Sequence, residues 1–320
     1  MHEHAPAQNK HISMTTIAST VLMVRPASFG YNTETAVNNV FQHKPSSDEL
    51  QVLQQQAREE FDRFVATLKK KKIDVIVVED TAHPVKPDAV FPNNWFCTLQ
   101  DGTLAVFPMY APNRRLEKRN DILQMLHDSY GLHNVEDWSE YEAESLFLEG
   151  TGSMIIDQEH KVIYACLSPR TSRQVLEKFA HAHGYKVMLF SSRDENGTDV
   201  YHTNVIMHIG ETYAVICLDS IPNDLERIAL SQLLISTGHE IIPISFSQVR
   251  HFAGNMLQLR NKNNEKFTLL SKTAYKSLTK HQKEILAHHT TLLPVDITTI
   301  ETIGGGSVRC MLAEIYPGKN

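Results

Sequence analysis

The sequence has few cysteines and no cysteine motif. Four cysteines occur among its 320 residues, Cys97, Cys166, Cys217 and Cys310, and no two of them are spaced as Cys-x-x-Cys. This usage offers neither a disulfide framework nor a zinc site, so we expect reduced thiols and a cytoplasmic location. Cys97, Cys166 and Cys217 lie in apolar, strand-like segments and are predicted to be buried.

Long apolar runs are also missing. No segment approaches the roughly 18 consecutive apolar residues of a membrane-spanning helix, and the polar N-terminus lacks the apolar core of a signal peptide. We therefore expect no membrane partner. Residues 1–18, with His2, His4 and His11, are predicted to be a flexible leader rather than a metal-binding tail, and residues 19–320 are predicted to form a single domain.

Positive charge is not in excess. The formal net charge is −6, and no basic stripe is interleaved with aromatic residues, which argues against a nucleic-acid partner. The one basic run, residues 69–72, ends a predicted helix and complements its dipole. Apolar residues at 42% and charged residues at 21% are typical of a soluble globular protein.

Common cofactor and metal motifs are absent as well. The glycine-rich residues 304–307 are not followed by Gly-Lys-Ser/Thr, so they do not form a phosphate-binding P-loop. No His-Glu-x-x-His motif occurs among the 17 histidines, and Ser153 lacks the second glycine of a nucleophile elbow. We expect neither a metal ion nor a cofactor.

What the sequence does have is an internal repeat. Residues 201–245 are predicted to form strand, turn, strand, helix and strand, with Asn223 at the start of the helix and Gly238 after its end. Similar units are predicted to begin near Trp95, Ser153 and Met256. The helix of the first is predicted at about residues 115–130, and Thr279 and Gln282 could open that of the last as a capping box. The pattern therefore predicts an α/β fold built from repeated ββαβ units.

The fifth unit is split between the two ends of the chain. Its first strand is predicted at residues 311–316, its second at residues 21–25, its helix at residues 47–68 and its last strand at residues 73–79. Pairing the two chain ends closes the ring of units and removes an open sheet edge.

The residues that lead the units recur every 53 to 55 positions. If the five units surround a common axis, their leading residues converge at one end of it, where sites gather in such arrays. In chain order these residues are Asn94, Glu149, His202, a point near Asn255, and Cys310.

Three of the leading residues form a set suited to nucleophilic catalysis. Cys310 follows three glycines, adjoins Arg309 and is predicted to lie at the mouth of a strand, a setting that favours a thiolate nucleophile. His202 can accept and donate a proton near neutral pH, and Glu149 can orient that histidine. Each alone has a structural interpretation, such as a half-buried thiol or a core histidine, but their equivalent positions in one repeat favour catalysis.

Further candidates flank these positions. Asn204 follows His202 by two residues, which places both on one face if the segment is a strand. Arg114 and Arg170 follow second strands and could grip a carboxylate, although Arg170 could also be a surface cation. The remaining candidates are Asp88, which could equally be a plain loop residue, Phe91, Asn94 and Arg115.

Taken together, these residues resemble the guanidino-group-modifying superfamily, the penteins, and within it the arginine-deiminase-related citrulline utilisation hydrolases. The similarity covers about residues 20–316, and its joint pattern is specific although no single motif is. The matching stretches are residues 25–30, 91–95, 111–115, 148–152, 166–171, 202–204, 251–255 and 304–310.

The resemblance implies a five-bladed α/β propeller and a Cys–His–Glu site without metal, made here by Cys310, His202 and Glu149. In the superfamily the cysteine attacks the planar carbon of a guanidinium or ureido group. The histidine protonates the leaving amine and then activates water. The resemblance also implies that Arg114 and Arg170 hold the carboxylate of an amino-acid substrate.

The sequence departs from the deiminases at two positions. Where those enzymes commonly carry acidic residues, this chain has Asn94 and Asn204. An amide offers both a donor and an acceptor, which matches a neutral ureido group better than a cationic guanidinium. We therefore predict hydrolysis of citrulline to ornithine, carbon dioxide and ammonia.

Two other functions stay open from the sequence. One is an arginine deiminase or dimethylarginine dimethylaminohydrolase. The other is a non-catalytic propeller used for binding, like the ribosomal anti-association factor of the same architecture, although loss of the cysteine or histidine would then be expected. The sequence also leaves open whether the protein forms a homodimer.

Overall fold

The computed structural model describes residues 16–46 and 49–318, so most of the predicted leader lies outside the described residues. Fifteen strands form five three-stranded sheets in this part of the chain. The strands are β1 (Thr20–Arg25), β2 (Asp74–Glu79), β3 (Phe96–Thr98), β4 (Thr103–Val106), β5 (Asn134–Asp137), β6 (Ile155–Asp157), β7 (Val162–Cys166), β8 (Lys186–Phe190), β9 (Met207–Ile209), β10 (Tyr213–Ile216), β11 (Glu240–Pro243), β12 (Leu257–Arg260), β13 (Lys266–Ser271), β14 (Thr291–Val295) and β15 (Ala313–Ile315).

Helices connect the second and third strands of each unit. None of those described is long and apolar enough to cross a membrane. They are α1 (Leu50–Lys70), α2 (Pro112–Arg115), α3 (Asn120–Tyr130), α4 (Gly150–Ser153), α5 (Arg173–Ala182), α6 (Asp224–Ser236), α7 (Phe246–Arg250), α8 (Lys272–Ser277) and α9 (Lys280–His289). Two short ones, α4 and α7, lie between units.

All five sheets share one topology. The middle strand pairs antiparallel with the first strand of its unit and parallel with the last. The parallel pair needs a crossover, which a helix supplies in each unit. The repeated ββαβ order predicted from the sequence is therefore confirmed.

The two ends of the described chain meet in one sheet, as the split repeat predicts. β15 pairs antiparallel with β1, with Ile315 opposite Thr20 and Ala313 opposite Leu22. First strands of successive units also contact one another, β15 with β3, β6 with β9, and β9 with β12. The residues that precede these strands are consequently brought to neighbouring positions.

The helices bury one face against the sheets. In α1 the buried side chains Ala57, Phe61, Phe64 and Leu68 follow helical spacing, and burying a Phe side chain of this kind contributes about 1.5–3 kcal/mol. At the start of α9, Thr279 and Gln282 form the predicted capping box, with both of its hydrogen bonds present.

The first unit, which begins near Trp95, differs from its prediction. In place of one helix from residue 115 to 130, α2 ends at Arg115 and α3 begins at Asn120, because Arg119 between them is extended with φ −111° and ψ 117°. The last strand of this unit, β5, has a polar and mostly exposed sequence. Its apolar signal is too weak for a prediction from pattern alone.

The expectation that His202 and Asn204 share a strand face is wrong. Thr203–Val205 forms a 3₁₀ turn before β9, held by the hydroxyl of Thr203, which donates to Ser153 O at 2.6 Å and accepts from Cys166 N at 2.9 Å. Short helical turns also precede β3, β6 and β15. The chain bends at these points. The directions of the leading side chains therefore do not follow the two-residue alternation of a strand.

Candidate active site

The leading residues surround one small cavity. It is lined by the predicted site residues Cys310, His202 and Asn94, by Gly304, Gly305 and Gly306, and by seven further residues. It leaves about 20 Å³ for the centres of water molecules, which is room for one or two of them. The other lining residues are Thr35, Asn39, Asp88, Phe91, Arg114, Arg170 and Tyr201.

Glu149 lies behind His202 rather than on the cavity wall. Its carboxylate lies 2.8 Å from His202 Nε2, accepts from Tyr110 N at 2.9 Å and is 3.5 Å from Arg170 Nη1. Complete burial acts to raise the pKa of Glu149, but Arg170 and the hydrogen bond from His202 together hold it below its usual range. Glu149 is therefore an ionised hydrogen-bond acceptor.

This contact fixes the tautomer of His202. A carboxylate only accepts, so the proton is on Nε2 and Nδ1 is left as a free base. Burial lowers the pKa of His202 to about 4, and Arg170 and Arg114 also lower it, which outweighs the opposing effect of Glu149. At neutral pH the imidazole is uncharged and can accept a proton at Nδ1.

Cys310 lies on a helical turn, Val308–Met311, and not at the mouth of a strand. Its sulfur is 3.4 Å from Asn255 Nδ2 and 3.6 Å from Asn204 Nδ2. The guanidinium of Arg309 donates to Leu312 O and Glu314 instead of to the thiol. Burial raises the pKa of the Cys310 thiol, while hydrogen bonds from the amides and the charge of Arg309 act to lower it.

Arg114 is buried and held by a partner that sequence reasoning missed. Glu117 accepts from Arg114 Nε at 2.8 Å and from Nη2 at 2.9 Å. Glu117 lies in the turn between α2 and α3, where no pattern in the sequence indicated this pairing. Arg114 Nη1 donates to Asn94 Oδ1 at 3.0 Å, and Nη2 also donates to Phe91 O. Arg114 therefore orients the Asn94 amide.

Arg170 is 2% exposed, so the alternative of a surface cation is wrong. Its Nε donates to Asn38 Oδ1 and its Nη2 to Thr35 O, both at 3.0 Å. The guanidinium also lies 4.8 Å from the centre of the Tyr201 ring. Arg115, the other arginine named from the sequence, donates to Met109 O and does not line the cavity.

A cover segment, residues 31–43, lies over the cavity. Asn32 Nδ2 and the Thr35 hydroxyl donate to Asp88 Oδ2 at 2.8 and 3.2 Å. Asn39 and Gln42 donate to the carbonyl oxygens of Gly305 and Gly304 at 3.2 and 3.1 Å. These bonds join the segment to three residues that line the cavity, Asp88, Gly304 and Gly305. Its polar, aperiodic sequence gave no earlier sign of this role.

Three buried polar atoms near the cavity have no hydrogen-bond partner among the described residues. They are Asn94 Nδ2, Asn204 Oδ1 and Asp88 Oδ1. Burial raises the pKa of Asp88, against the influence of Arg114. Unpaired buried polar atoms cost free energy. Asn94 and Asp88 line the cavity, and Asn204 contacts the sulfur of Cys310 through Nδ2, so the three atoms give the pattern of a polar ligand site. Among the described residues, no group of three or more metal-binding side chains occurs.

A larger cavity, about 540 Å³, lies on the far side of Tyr201. Its walls include Phe41, Phe246 and Phe252, but none of the site residues predicted from the sequence lines it. The predicted catalytic and substrate-binding residues that line a cavity therefore line the smaller of the two cavities.

Gly152 provides a sharp test of how tightly this site is packed. A Cβ at Gly152 would lie 2.3 Å from Asn94 Nδ2 and 2.9 Å from His202 Nδ1, so a methyl group must displace both side chains. We expect Gly152→Ala to lower kcat/KM by about 10²-fold, the effect of a displacement of about 1 Å in a catalytic site. Steady-state assays with the substrate proposed below measure the change.

The control for this variant is Gly30→Ala, because a Cβ at Gly30 meets nothing within 4 Å. It should retain nearly full activity, and both proteins should melt close to wild type. Full activity in Gly152→Ala would show that the imidazole is not where catalysis needs it.

Comparison with known proteins was made at the level of sequence families and of structures. A family model described as N,N dimethylarginine dimethylhydrolase, eukaryotic, matches residues 25–317. A search of the curated proteins found no match.

Several solved structures are similar over most of the chain. ArgZ, described as an arginine dihydrolase from the ornithine-ammonia cycle in cyanobacteria, has 18% identity and a TM-score of 0.71, with 94% of this chain and 41% of that chain covered. Unliganded AgrE has 17% identity and a TM-score of 0.67, with 94% and 40% covered. A dimethylarginine dimethylaminohydrolase variant bearing an S-methyl-L-thiocitrulline adduct has 15% identity and a TM-score of 0.63, with 93% and 100% covered.

The chain thus spans about two fifths of full-length ArgZ and AgrE. It covers 98% of the isolated N-terminal domain of ArgZ, with 18% identity and a TM-score of 0.70. At these identities the similarity shows a shared fold, with mixed α/β content and five small sheets. The family model covers nearly the whole chain, and the protein therefore belongs to the eukaryotic N,N-dimethylarginine dimethylhydrolase family, within the pentein superfamily.

Proposed function

We propose that this protein is a cysteine-dependent hydrolase that cleaves the ureido group of citrulline to give ornithine, carbon dioxide and ammonia. One observation carries the choice of substrate. The oxygen of the Asn94 amide is bound by Arg114 Nη1 at 3.0 Å, and its Nδ2 is left without a partner. A guanidinium only donates, so this orientation of the amide is fixed.

The consequence is a buried donor that needs an acceptor. A ureido group has a carbonyl oxygen to offer Asn94 Nδ2 and N–H groups to offer Asn204 Oδ1. A guanidinium substrate has donors alone, so Asn94 Nδ2 would face another donor. The Asn94 and Asn204 amides therefore favour citrulline over arginine.

The proposed reaction starts at sulfur. His202 Nδ1 takes the proton of the Cys310 thiol, and Sγ forms a bond to the ureido carbon. The imidazolium then protonates the departing nitrogen, the C–N bond breaks and a thiocarbamate remains on Cys310. Glu149, bonded to Nε2 at 2.8 Å, stabilises the charged imidazole during this step.

Water completes the cycle. His202, neutral again, takes a proton from a water molecule that attacks the thiocarbamate carbon, and the thiol leaves. The carbamate so formed loses carbon dioxide and releases its amine. One citrulline and one water give one ornithine, one carbon dioxide and one ammonia, whichever nitrogen departs first.

The arginines divide into two roles in this proposal. Arg114 has its donors directed to Glu117, Asn94 and Phe91 O, so it acts by positioning Asn94. Arg170 bonds mainly to the cover segment, through Asn38 and Thr35. Opening of that segment frees its guanidinium for the substrate carboxylate.

The same proposal extends to the architecture. We take the five sheets to surround one axis as a closed five-bladed propeller, and residues 19–320 to form one catalytic domain. The pairing of β15 with β1 and the contacts between first strands support this arrangement.

A second candidate is hydrolysis of arginine or a methylated arginine. The observation that favours it is Asp88 Oδ1, a buried carboxylate oxygen without a partner, which suits a cationic guanidinium. The names of the family and of the ArgZ structures agree with this candidate. The unpaired donor Asn94 Nδ2 works against it, because a guanidinium has no acceptor to offer that donor.

One experiment separates the two candidates. Purified protein is incubated with citrulline, arginine and dimethylarginine in parallel, and ornithine, citrulline and ammonia are measured. We expect ornithine from citrulline and slower or no conversion of the guanidinium substrates. Asn94→Asp removes the donor, so we expect its kcat/KM for citrulline to fall by about 10²-fold, as for loss of one donor to a reacting oxygen.

The relative rates decide the outcome. The proposal predicts that Asn94→Asp also raises the preference for arginine over citrulline, since a carboxylate favours a cation. Efficient formation of citrulline from arginine by the wild type, without consumption of citrulline, would overturn the argument from the two amides.

A further inference from the structure

Asn255 leads the fourth repeat but has no part in the chemistry derived so far. It follows a turn at residues 251–254 and is 2% exposed. Its side chain is one of the two that contact the sulfur of Cys310, with Nδ2 at 3.4 Å from Sγ. That contact makes it a candidate for direct control of the nucleophile.

The orientation of the Asn255 amide is fixed by two backbone groups. Oδ1 accepts from Arg309 N at 3.0 Å, and Nδ2 donates to Asn204 O at 3.0 Å. A backbone N–H only donates and a carbonyl only accepts, so the oxygen and nitrogen of the amide cannot be exchanged. The second N–H of Nδ2 is left for Cys310 Sγ.

We infer that Asn255 is a positioning residue that stabilises the thiolate form of Cys310 when His202 takes its proton, by donating one N–H to the sulfur while its oxygen anchors the turn that carries the cysteine. The inference rests on the proposed function only in taking Cys310 as the nucleophile. It does not depend on which substrate is used.

The physical reason is the difference between a thiol and a thiolate as acceptors. A thiolate accepts hydrogen bonds more strongly, so amide donors from Asn255 and Asn204 stabilise the ionised form. Burial opposes ionisation, and no cation donates directly to the sulfur among the described residues. The charge of Arg309 favours the thiolate. The other titratable groups at the cavity are Arg114, Arg170, His202, Tyr201, Asp88 and, through His202, Glu149.

Two variants separate the two functions of Asn255. Asn255→Asp keeps an oxygen for Arg309 N but replaces the donor to sulfur with a second oxygen. Asn255→Ala removes both contacts. If the residue only anchors the turn, the aspartate variant should behave like the wild type.

The measurement is the pH dependence of Cys310 alkylation by iodoacetamide, followed by peptide mass mapping. We expect the midpoint of the rate to move up by about one to two pH units in Asn255→Ala, the size of a hydrogen bond to a charged group. A larger upward shift is expected in Asn255→Asp, where a carboxylate adjoins the sulfur. Neutral-pH turnover of both variants should recover partly at alkaline pH.

Thiolate absorbance in the ultraviolet, taken as the difference from Cys310→Ala at each pH, gives the same midpoint. This measurement does not require a reagent to reach the sulfur. Melting temperatures identify any variant that does not fold, and the absorbance is then read on the variant that does. An unchanged midpoint in a folded Asn255→Asp would overturn the inference. Because neither titration contains substrate, its failure is distinct from failure to cleave citrulline.

Discussion

Replacing Cys310 with alanine will lower turnover of the ureido substrate by at least about 10⁴-fold, because removal of a covalent nucleophile leaves only binding and electrostatic contributions. The melting temperature should stay within about 4 °C of wild type. The change removes one sulfur atom, and loss of about 1 kcal/mol moves the midpoint of a chain of this size by about 2–4 °C. Steady-state kinetics and a thermal melt check both statements.

Cys217→Ala is the matched control, since Cys217 is a buried free thiol in a different part of the core. Cys217→Ala should keep its activity, and its melting temperature is compared directly with that of Cys310→Ala. A Cys310→Ala protein that retains activity, or that unfolds many degrees lower than Cys217→Ala, would identify Cys310 as a structural thiol instead.

Replacing His202 will slow both halves of the reaction. The same imidazole takes the proton of the thiol and later that of water, so we expect His202→Ala to lose about 10³–10⁴-fold in turnover, at the upper end for a general acid–base group. Rapid-quench experiments distinguish the rate of thiocarbamate formation from the rate of its hydrolysis. If only one of the two rates falls, a second group carries the other proton transfer.

The histidine also makes a prediction about acid stability. The folded-state pKa of His202, about 4, lies below its ordinary value of 6.5, so the unfolded chain binds more protons between these values. The stabilisation is present above pH 6.5 and is lost as pH falls through the window. In His202→Gln the side chain at position 202 cannot bind a proton in the unfolded chain. The melting temperature of this variant should therefore fall less between pH 7 and pH 4 than that of the wild type. Equal losses in the two proteins would show that His202 is not buried in its neutral form.

Local patterns and the repeat accounted for a large part of this protein. The period that relates Glu149, His202 and Cys310 anticipated their common location, since equivalent positions of a repeat acquire equivalent surroundings. The pairing of the chain ends followed from the same period. The capping box of α9 needed only four residues, Thr279 to Gln282, to be recognised.

What could not be predicted depends on contacts between distant segments. Glu117 is one acidic residue among many in the sequence until the fold buries it against Arg114. The cover segment has no periodicity, and its bonds to Asp88 and Gly305 join positions far apart in sequence. The direction of the Asn255 amide is set by Arg309 N and Asn204 O, which no local pattern of the sequence brings together.

The most direct test of covalent chemistry at Cys310 uses S-methyl-L-thiocitrulline, which forms an adduct with a histidine variant of dimethylarginine dimethylaminohydrolase. Methanethiol is a leaving group that needs little help from an acid, whereas hydrolysis of the adduct needs the imidazole. With His202→Gly, the account predicts a single adduct of the reagent less methanethiol, located by peptide mapping on Cys310. An unmodified protein, or an adduct on Cys97, Cys166 or Cys217, would contradict it.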